Sequence, residues 1–176
     1  ALLPRLKTAG DRDLINRVNI PAPLVQGHDT ALVLGGYPEV AARAGADGAH
    51  LIGLAAFSAA VENLKPAKIA GCGGVISRDD AMAAGEQGAD YVMLGDTNVE
   101  HKRAPLPAIF ERIEWWAEVF EGPCVGFAAN PSEIGPLRAA GADFVAVGDG
   151  IWDDPRGITT AVAEAARMLA PSEPVR

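Results

Sequence analysis

Short apolar runs alternate along this chain with longer segments in which apolar residues recur at helical spacing. The apolar runs predict seven strands, at residues 1–7, 30–36, 48–54, 67–72, 90–94, 123–127 and 144–147. The segments between them predict seven helices, at 11–18, 38–44, 55–63, 77 to either 85 or 88, 108–120, 130–141 and 159–169. Because each connection is long enough for a crossover helix, we expect the strands to pair in parallel.

Local signals predict how several helices begin and where the chain is irregular. Asp11 is expected to cap the first helix and Ser77 the fourth, since both residue types accept hydrogen bonds from helix amides. Pro21 and Pro23 predict irregular backbone after the first helix, because proline has no amide hydrogen to donate.

Residues 123–150 form the clearest strand–helix–strand unit. Asn130 offers a side-chain oxygen to cap its helix, Pro131 suits the first helical position, and Glu133 suits the third. Both apolar runs of this unit end in small residues that are followed by a helix start. Main-chain N–H groups hold phosphate at such turns, so the unit predicts an anion-binding edge.

Three segments repeat the order helix end, Gly-Ala-Asp, strand and small-residue stop, at 42–53, 85–96 and 138–149. This quasi-repeat and the lack of a G-x-G-x-x-G after the first strand favour an α/β fold of the (β/α)8 TIM-barrel type over a doubly wound sheet. Seven predicted units leave such a barrel one unit short of closure. We expect one barrel domain over residues 1–169 and a flexible C-terminal tail over 170–176.

Charge balance and cysteine usage narrow the class of protein. A net charge of −8 and a pI of about 4.8 argue against nucleic-acid partners and acidic membrane surfaces. No apolar run approaches the roughly 18 residues of a membrane span, and no segment has a signal-peptide pattern. Cys72 and Cys124 lie in or just after apolar runs, which predicts buried thiols of a cytoplasmic protein rather than a disulfide.

Arg5 and Lys7 lie two residues apart on the first predicted strand and therefore share a face. They are either a solvated strand end or two cations directed at one anionic ligand, and the residues favour neither interpretation. His101, in the polar loop over 97–107, is the better acid–base candidate. His50 lies inside a predicted strand, and we expect it to be a hydrogen-bonded core residue.

Two carboxylates follow the C-terminal ends of predicted strands. Asp96 and Asp149 would lie on the rim where a barrel places its active site, where they could share a proton or a metal ion. The simpler interpretation, which we favour, is that both cap the loops that follow them.

The order of several motifs over residues 1–169 resembles the thiamine phosphate synthase and thiazole tautomerase superfamily. The motifs are ALLPRLK, GADGAHL, GEQGADYVMLGD, a helix containing WW, and PCVGFAANPSEIGPLRAAGADFVAVGDGIW. The resemblance implies a (β/α)8 barrel in which ALLPRLK is the second strand, so the first βα unit would be absent from this chain. An incomplete barrel would expose an apolar edge. We therefore expect a homo-oligomer, a swapped element or another segment to cover it.

The resemblance also implies a reaction and a set of binding residues. The family joins a pyrimidine diphosphate to a thiazole phosphate, and Mg²⁺ and cations stabilise the departing diphosphate. Matched to the family pattern, the residues expected to bind phosphate or substrate are Arg5, Lys7, Gly73, Lys102, Arg103, Ala128, Ala129 and Gly148.

The metal ligands of the family have no counterpart in this chain. Where the family places its metal carboxylates, this sequence has Gly35-Gly36 and a position near Ala55. Mg²⁺ is expected for the family, but its ligands are missing here, and we assign no metal ligand. Asp149, beside the expected phosphate cup, would repel a phosphate dianion.

Three hypotheses about function follow from the resemblance. The first is a thiamine phosphate synthase-like protein of thiamine biosynthesis, a transferase by resemblance and a degenerate paralogue without the metal carboxylates. The second is a non-catalytic protein that binds a phosphorylated small molecule or a partner protein. The third is an enzyme of altered chemistry that uses Asp96 and Asp149. Whether the chain is catalytically active stays open at this point.

Overall fold

The computed structural model describes residues 1–170, which form two compact units. The first unit contains residues 1–92 and 97–102, and the second contains residues 93–96 and the chain from Arg103 onward. That residues 1–169 form a single barrel domain stays a prediction. From residue 171 onward, the tail predicted over 170–176 lies outside the described residues.

The first unit alternates strands with helices, as the apolar runs predict. Its helices are α1 (Asp11–Asn19), α2 (Ala22–Gln26), α3 (Pro38–Arg43), α4 (Leu54–Leu64) and α5 (Arg78–Glu86). Its strands are β1 (Val33–Gly35), β2 (Gly48–Ile52), β3 (Ile69–Gly73) and the first half of β4 (Tyr91–Leu94). Strand β2 pairs in parallel with β1 and β3, and β3 pairs in parallel with β4. Parallel pairing in chain order is therefore confirmed in this unit.

The prediction of a regular strand over residues 1–7 is wrong. Only Leu2 forms a ladder bridge, a parallel one with Leu32. The carbonyl of Pro4 still accepts a hydrogen bond from the amide of Gly35 at 3.0 Å. Because Pro4 has no amide hydrogen to return, the ladder does not continue beside β1.

Two other local predictions in the first unit need correction. Gly10 is the N-cap residue of α1, and Asp11 is the first helical residue, where its charge favours the positive end of the helix. The segment predicted to be irregular contains the short helix α2. Pro21 and Pro23 fit its first turn, where helix amides have no partner within the helix.

The second unit contains the predicted strand–helix–strand element. Its elements are the last half of β4, then α6 (Leu106–Val119), β5 (Cys124–Ala128), a 3-10 turn (Pro131–Glu133), α7 (Ile134–Ala139), β6 (Phe144–Val147), α8 (Asp149–Trp152) and α9 (Ile158–Leu169). Strands β5 and β6 pair in parallel over four residues. The oxygen of the Asn130 side chain accepts the amide of Ser132, which confirms Asn130 as a cap.

Packing in both units follows the predicted stripes. On α6, Ile109, Ile113 and Trp116 are buried, and the indole nitrogen of Trp116 donates to the carbonyl of Gly122 at 2.7 Å. Cys72 and Cys124 are both buried, and neither is part of a disulfide, as predicted. None of the helices in residues 1–170 is long and apolar enough to cross a membrane.

The aspartate of each Gly-Ala-Asp repeat clamps the start of its strand to the start of the preceding strand. Each carboxylate accepts the amide hydrogen of a residue near the preceding strand's start, and each aspartate amide donates to the carbonyl of that same residue. The clamped pairs are Asp47 with Leu32, Asp90 with Ala70, and Asp143 with Cys124, with carboxylate distances of 2.7, 2.8 and 2.8 Å. The repeat is therefore a structural element of the sheet at the ends opposite the expected site.

Candidate functional site

Glycines lie at the carboxyl end of β1 in the first unit. Gly35 ends β1 and Gly36 follows it, and the amide of Gly36 donates to the carbonyl of His50 at 2.8 Å. A Cβ on Gly35 would lie 3.3 Å from Cγ of Arg5, so the Arg5 stem runs alongside this glycine. The side chains of Arg5 and Lys7 are exposed, and among residues 1–170 they form no hydrogen bond or ion pair. Both predicted anion-binding cations are therefore available to a ligand.

The positions that would hold Mg²⁺ carry no ligand atoms on their side chains. Gly35 and Gly36 have none, and Ala55, in the first turn of α4, has only a methyl group. Magnesium binds through oxygen ligands, usually carboxylates. The described part of the chain also lacks any cluster of three or more His, Cys, Asp or Glu that could hold a metal ion. The residues present do not fit a magnesium centre.

Asn98 organises the loop that carries Lys102 and His101. Its side-chain oxygen accepts the amides of Glu100 and Lys102, at 3.0 and 2.9 Å. The Lys102 ammonium pairs with Glu100 at 2.7 Å, yet 75% of its side chain is exposed, so the pair contributes little to stability. His101 is exposed and has a φ of 59°. Both side chains therefore face solvent at this loop.

His50 and Tyr91 form a pair across three neighbouring strands of the first unit. His50, Gly71 and Tyr91 lie in register on β2, β3 and β4. The Tyr91 ring lies over Gly71, where an added Cβ would come within 2.1 Å of it. The Tyr91 hydroxyl is 3.0 Å from Nδ1 of His50, and the two rings stack at 5.6 Å. His50 is therefore a buried, hydrogen-bonded residue, as predicted.

In the second unit, Arg103 connects the carboxyl ends of two strands. Its Nε donates to the carbonyl of Gly95, just after β4, at 2.6 Å. Its Nη2 donates to the carbonyl of Phe127 on β5 at 3.0 Å. The guanidinium also forms a two-pronged ion pair with the carboxylate of Glu133, with distances of 3.2 and 2.7 Å. The predicted phosphate ligand Arg103 thus directs its charge at another residue of the chain.

The Glu133 carboxylate accepts hydrogen bonds from three residues of the second unit. Besides Arg103, it accepts the amide of Ala129 and the side-chain amide of Asn130, both at 2.9 Å. Burial by itself raises the pKa of Glu133, but the hydrogen bonds from Arg103 and Ala129, with the Arg103 charge and the Asn130 bond, outweigh it. They hold this pKa below its ordinary value. Glu133 is therefore a buried anion at neutral pH.

The structure brings the predicted residues Ala128 and Gly148 together. Both line a shallow surface depression whose other lining residues are Asn130, Pro131, Val147, Gly150 and Ile151. Asp149 follows Gly148 as the exposed first residue of α8, and Asp96, just after β4, is buried. None of these lining residues carries a charge, and the depression encloses no space that could hold a bound molecule.

Sequence reasoning missed the role of Glu133 and of Tyr91. A Glu three residues after Asn130 indicated a capping box, in which it would bind the cap residue's own amide. Instead it binds the amide of Ala129, one residue earlier, and Arg103 from a distant loop. Nothing local to Tyr91 signals its contact with His50, because β3 separates their strands.

The arrangement of strands and helices matches that of solved α/β barrels of the (β/α)8 type, which confirms the predicted fold class. A structure of thiamine phosphate pyrophosphorylase from Pyrococcus furiosus matches with a TM-score of 0.78 and 21% identity, covering 95% of this chain and 81% of that one. A 3-hexulose-6-phosphate synthase matches with a TM-score of 0.67 and 19% identity, covering 96% of this chain and 87% of that one.

Sequence comparison adds the family. The model of the thiamine monophosphate synthase family matches residues 1–151. A thiamine-phosphate synthase of Rhodospirillum centenum is 39% identical over 173 residues, which cover 94% of this chain and 81% of that protein. The enzyme of that name from Erythrobacter litoralis is 39% identical over 143 residues, 78% of this chain and 67% of that protein. The chain belongs to the thiamine monophosphate synthase family.

Proposed function

We propose that this protein acts in thiamine biosynthesis as a thiamine phosphate synthase-like protein without the magnesium centre that the family resemblance implies. Family membership and 39% identity to two thiamine-phosphate synthases support the pathway. The absence of the magnesium centre is inferred from the side chains at the expected metal positions. Gly35, Gly36 and Ala55 stand at the expected metal positions and offer no carboxylate.

Loss of the metal carboxylates bears directly on the reaction. A departing diphosphate develops negative charge, which a bound Mg²⁺ normally stabilises. Without ligands for that ion, the protein keeps only its own cations for a phosphorylated molecule. Arg5 and Lys7 are exposed and make no contact with a carboxylate of residues 1–170, so they support binding of a phosphorylated small molecule. A cytoplasmic homo-oligomer without nucleic-acid partners stays our prediction.

Calorimetric titration tests this proposal. We expect thiazole phosphate to bind the wild-type protein with an affinity that Mg²⁺ does not change. Lys7→Gln should weaken binding by roughly tenfold, the loss of about 1.4 kcal/mol for one charge-assisted contact. Arg12→Gln removes one exposed positive charge from α1 and serves as the matched control. Affinity that rises with Mg²⁺, or no binding of the phosphate ligand, would contradict the proposal.

The buried carboxylate of Asp96 supports a second candidate, an enzyme of altered chemistry. Asp96 lies two residues after the end of β4 and is only 5% exposed, whereas most aspartates lie in solvent. Buried carboxylates at strand ends are frequent acid–base groups. Turnover of any thiamine precursor that Asp96→Asn abolishes while the fold persists would favour this candidate. Ligand binding without turnover would favour the degenerate synthase-like protein.

A further inference from the structure

Four hydrogen bonds converge on the Glu133 carboxylate at the carboxyl end of β5. Oε1 accepts from Nη1 of Arg103 and from the Asn130 side chain, at 3.2 and 2.9 Å. Oε2 accepts from Nη2 of Arg103 and from the amide of Ala129, at 2.7 and 2.9 Å. A guanidinium fork combined with a main-chain N–H is the donor set that proteins use for carboxylate and phosphate ligands.

We call the donors around the Glu133 carboxylate, which are the Arg103 guanidinium, the Asn130 side chain and the Ala129 amide, the cradle. These donors have few hydrogen bonds left to offer a ligand. The remaining contacts of the Arg103 guanidinium go to the carbonyls of Gly95 and Phe127. The Asn130 side-chain oxygen already accepts from Ser132. Glu133 itself is only 6% exposed, so an external anion does not displace it without uncovering a buried charge. The cradle is therefore complete within the chain.

We infer that Glu133 is a specificity-determining residue that takes the place of a ligand anion at the end of β5. The Ala129 amide, which already donates to Glu133, is then closed to a phosphate or carboxylate ligand. The neighbouring surface, at Ala128, Val147, Gly148 and Ile151, offers no cation to an anionic ligand either. Asp149 adds a second carboxylate directly after Gly148 and disfavours phosphate there as well.

This inference rests on the proposed function, because it concerns where a phosphorylated ligand binds. It deepens that function by closing the end of β5 in the second unit to phosphate. The exposed cations Arg5 and Lys7 of the first unit remain the phosphate contacts of the proposed function. Its test therefore uses inorganic phosphate and acetate, whose binding to the cradle depends neither on Mg²⁺ nor on recognition of a thiamine precursor.

The experiment follows the amide resonance of Ala129 and the melting temperature of the full chain. In wild-type protein we expect phosphate and acetate to produce no saturable shift at Ala129. Glu133→Ala empties the cradle while leaving Arg103, Asn130 and the amide in place. Both anions should then bind with at least about tenfold higher affinity than to wild type, and they should raise the melting temperature relative to chloride.

Two control variants show whether anions bind because the space of the Glu133 side chain is empty or only because a negative charge has been removed. Glu133→Gln removes the charge but fills the space, so we expect no saturable acetate shift. Glu118→Ala removes one exposed carboxylate from α6 and should behave as wild type. If Glu133→Ala is unfolded in chloride, phosphate or acetate should restore the folded spectrum. Saturable phosphate binding at Ala129 of the wild type, or no anion effect on Glu133→Ala, would overturn the inference.

Discussion

Asp143 holds the start of β5 through two reciprocal hydrogen bonds with Cys124. The Cys124 amide donates to the Asp143 carboxylate at 2.8 Å, and the Asp143 amide donates to the Cys124 carbonyl at 3.0 Å. Asp47 and Asp90 make the same two bonds to their own partners. A motif that recurs three times in the sequence therefore repeats one structural contact, at strand starts rather than at the site.

Removing one of these clamps should destabilise the protein. Asp143→Ala leaves the Cys124 amide without its acceptor, which costs about 1 to 3 kcal/mol when the group cannot reach water. Urea unfolding measures the difference, with Asp153→Ala, an exposed aspartate after α8, as the control. A change within about 0.5 kcal/mol for Asp143→Ala would show that the clamp is dispensable.

The Cys124 thiol should make stability depend on alkaline pH. Burial, and then the nearby Asp143 charge, raise the pKa of Cys124 to about 12 from its ordinary value of 9.0. The unfolded chain therefore loses this proton first. Stability is fully present below pH 9 and should fall by about 1.4 kcal/mol per pH unit between pH 9 and 12.

The comparison that isolates this effect is Cys124→Ala. The difference in unfolding free energy between wild type and variant should shrink as pH rises from 9 to 12. The wild-type thiol should also resist alkylation at pH 8 until the protein is unfolded. Parallel pH profiles for the two proteins would mean that Cys124 titrates normally in the folded state.

Arg103 and Glu133 should be strongly coupled. Arg103→Gln leaves a buried carboxylate without its cation, which costs about 3 to 5 kcal/mol. Once Glu133→Gln has removed that charge, the same Arg103 change should cost less. A double-mutant cycle in urea should give a coupling energy of about 1 to 3 kcal/mol, whereas additive effects would refute the pairing.

Acid titration gives an independent check on Glu133. The pKa of Glu133 lies below its ordinary value of 4.5, so the stabilisation is present above pH 4.5 and is lost as pH falls through the folded value. Below this ordinary value, wild type should lose stability more steeply than Glu133→Gln. Equal acid slopes would contradict the depressed pKa.

Gly71 should be required because Tyr91 lies over it. A Cβ at this position would come within 2.1 Å of the Tyr91 ring. Gly71→Ala should therefore destabilise the first unit by about 1 to 3 kcal/mol through overpacking, and the penalty should shrink in a Tyr91→Ala background. Thermal melts of both single variants and the double variant measure this. The same penalty in both backgrounds would show that Tyr91 is not the obstacle.

Local patterns predicted the elements well because they depend on local physics. Apolar runs set the strands, and the Asn130 side chain caps its turn through residues two positions away. Pro4 shows the limit, because a missing amide ends a ladder that the apolar pattern alone would continue.

The side-chain contacts of the candidate site were predicted less well because they join residues far apart in the sequence. Arg103 and Glu133 lie 30 residues apart in sequence, and Tyr91 reaches His50 from 41 residues away. No periodicity marks such pairs. Arg103 was expected to bind phosphate from its place in the family pattern, and only the geometry shows its charge directed at Glu133.

The most direct test of the central claim is a turnover assay for thiamine phosphate. Purified protein is supplied with the pyrimidine diphosphate, thiazole phosphate and Mg²⁺, and product is compared with that of an active family member. The two missing carboxylates, one at Gly35-Gly36 and one near Ala55, predict no product above the protein-free reaction. Product formation that a chelator of Mg²⁺ abolishes would contradict the account.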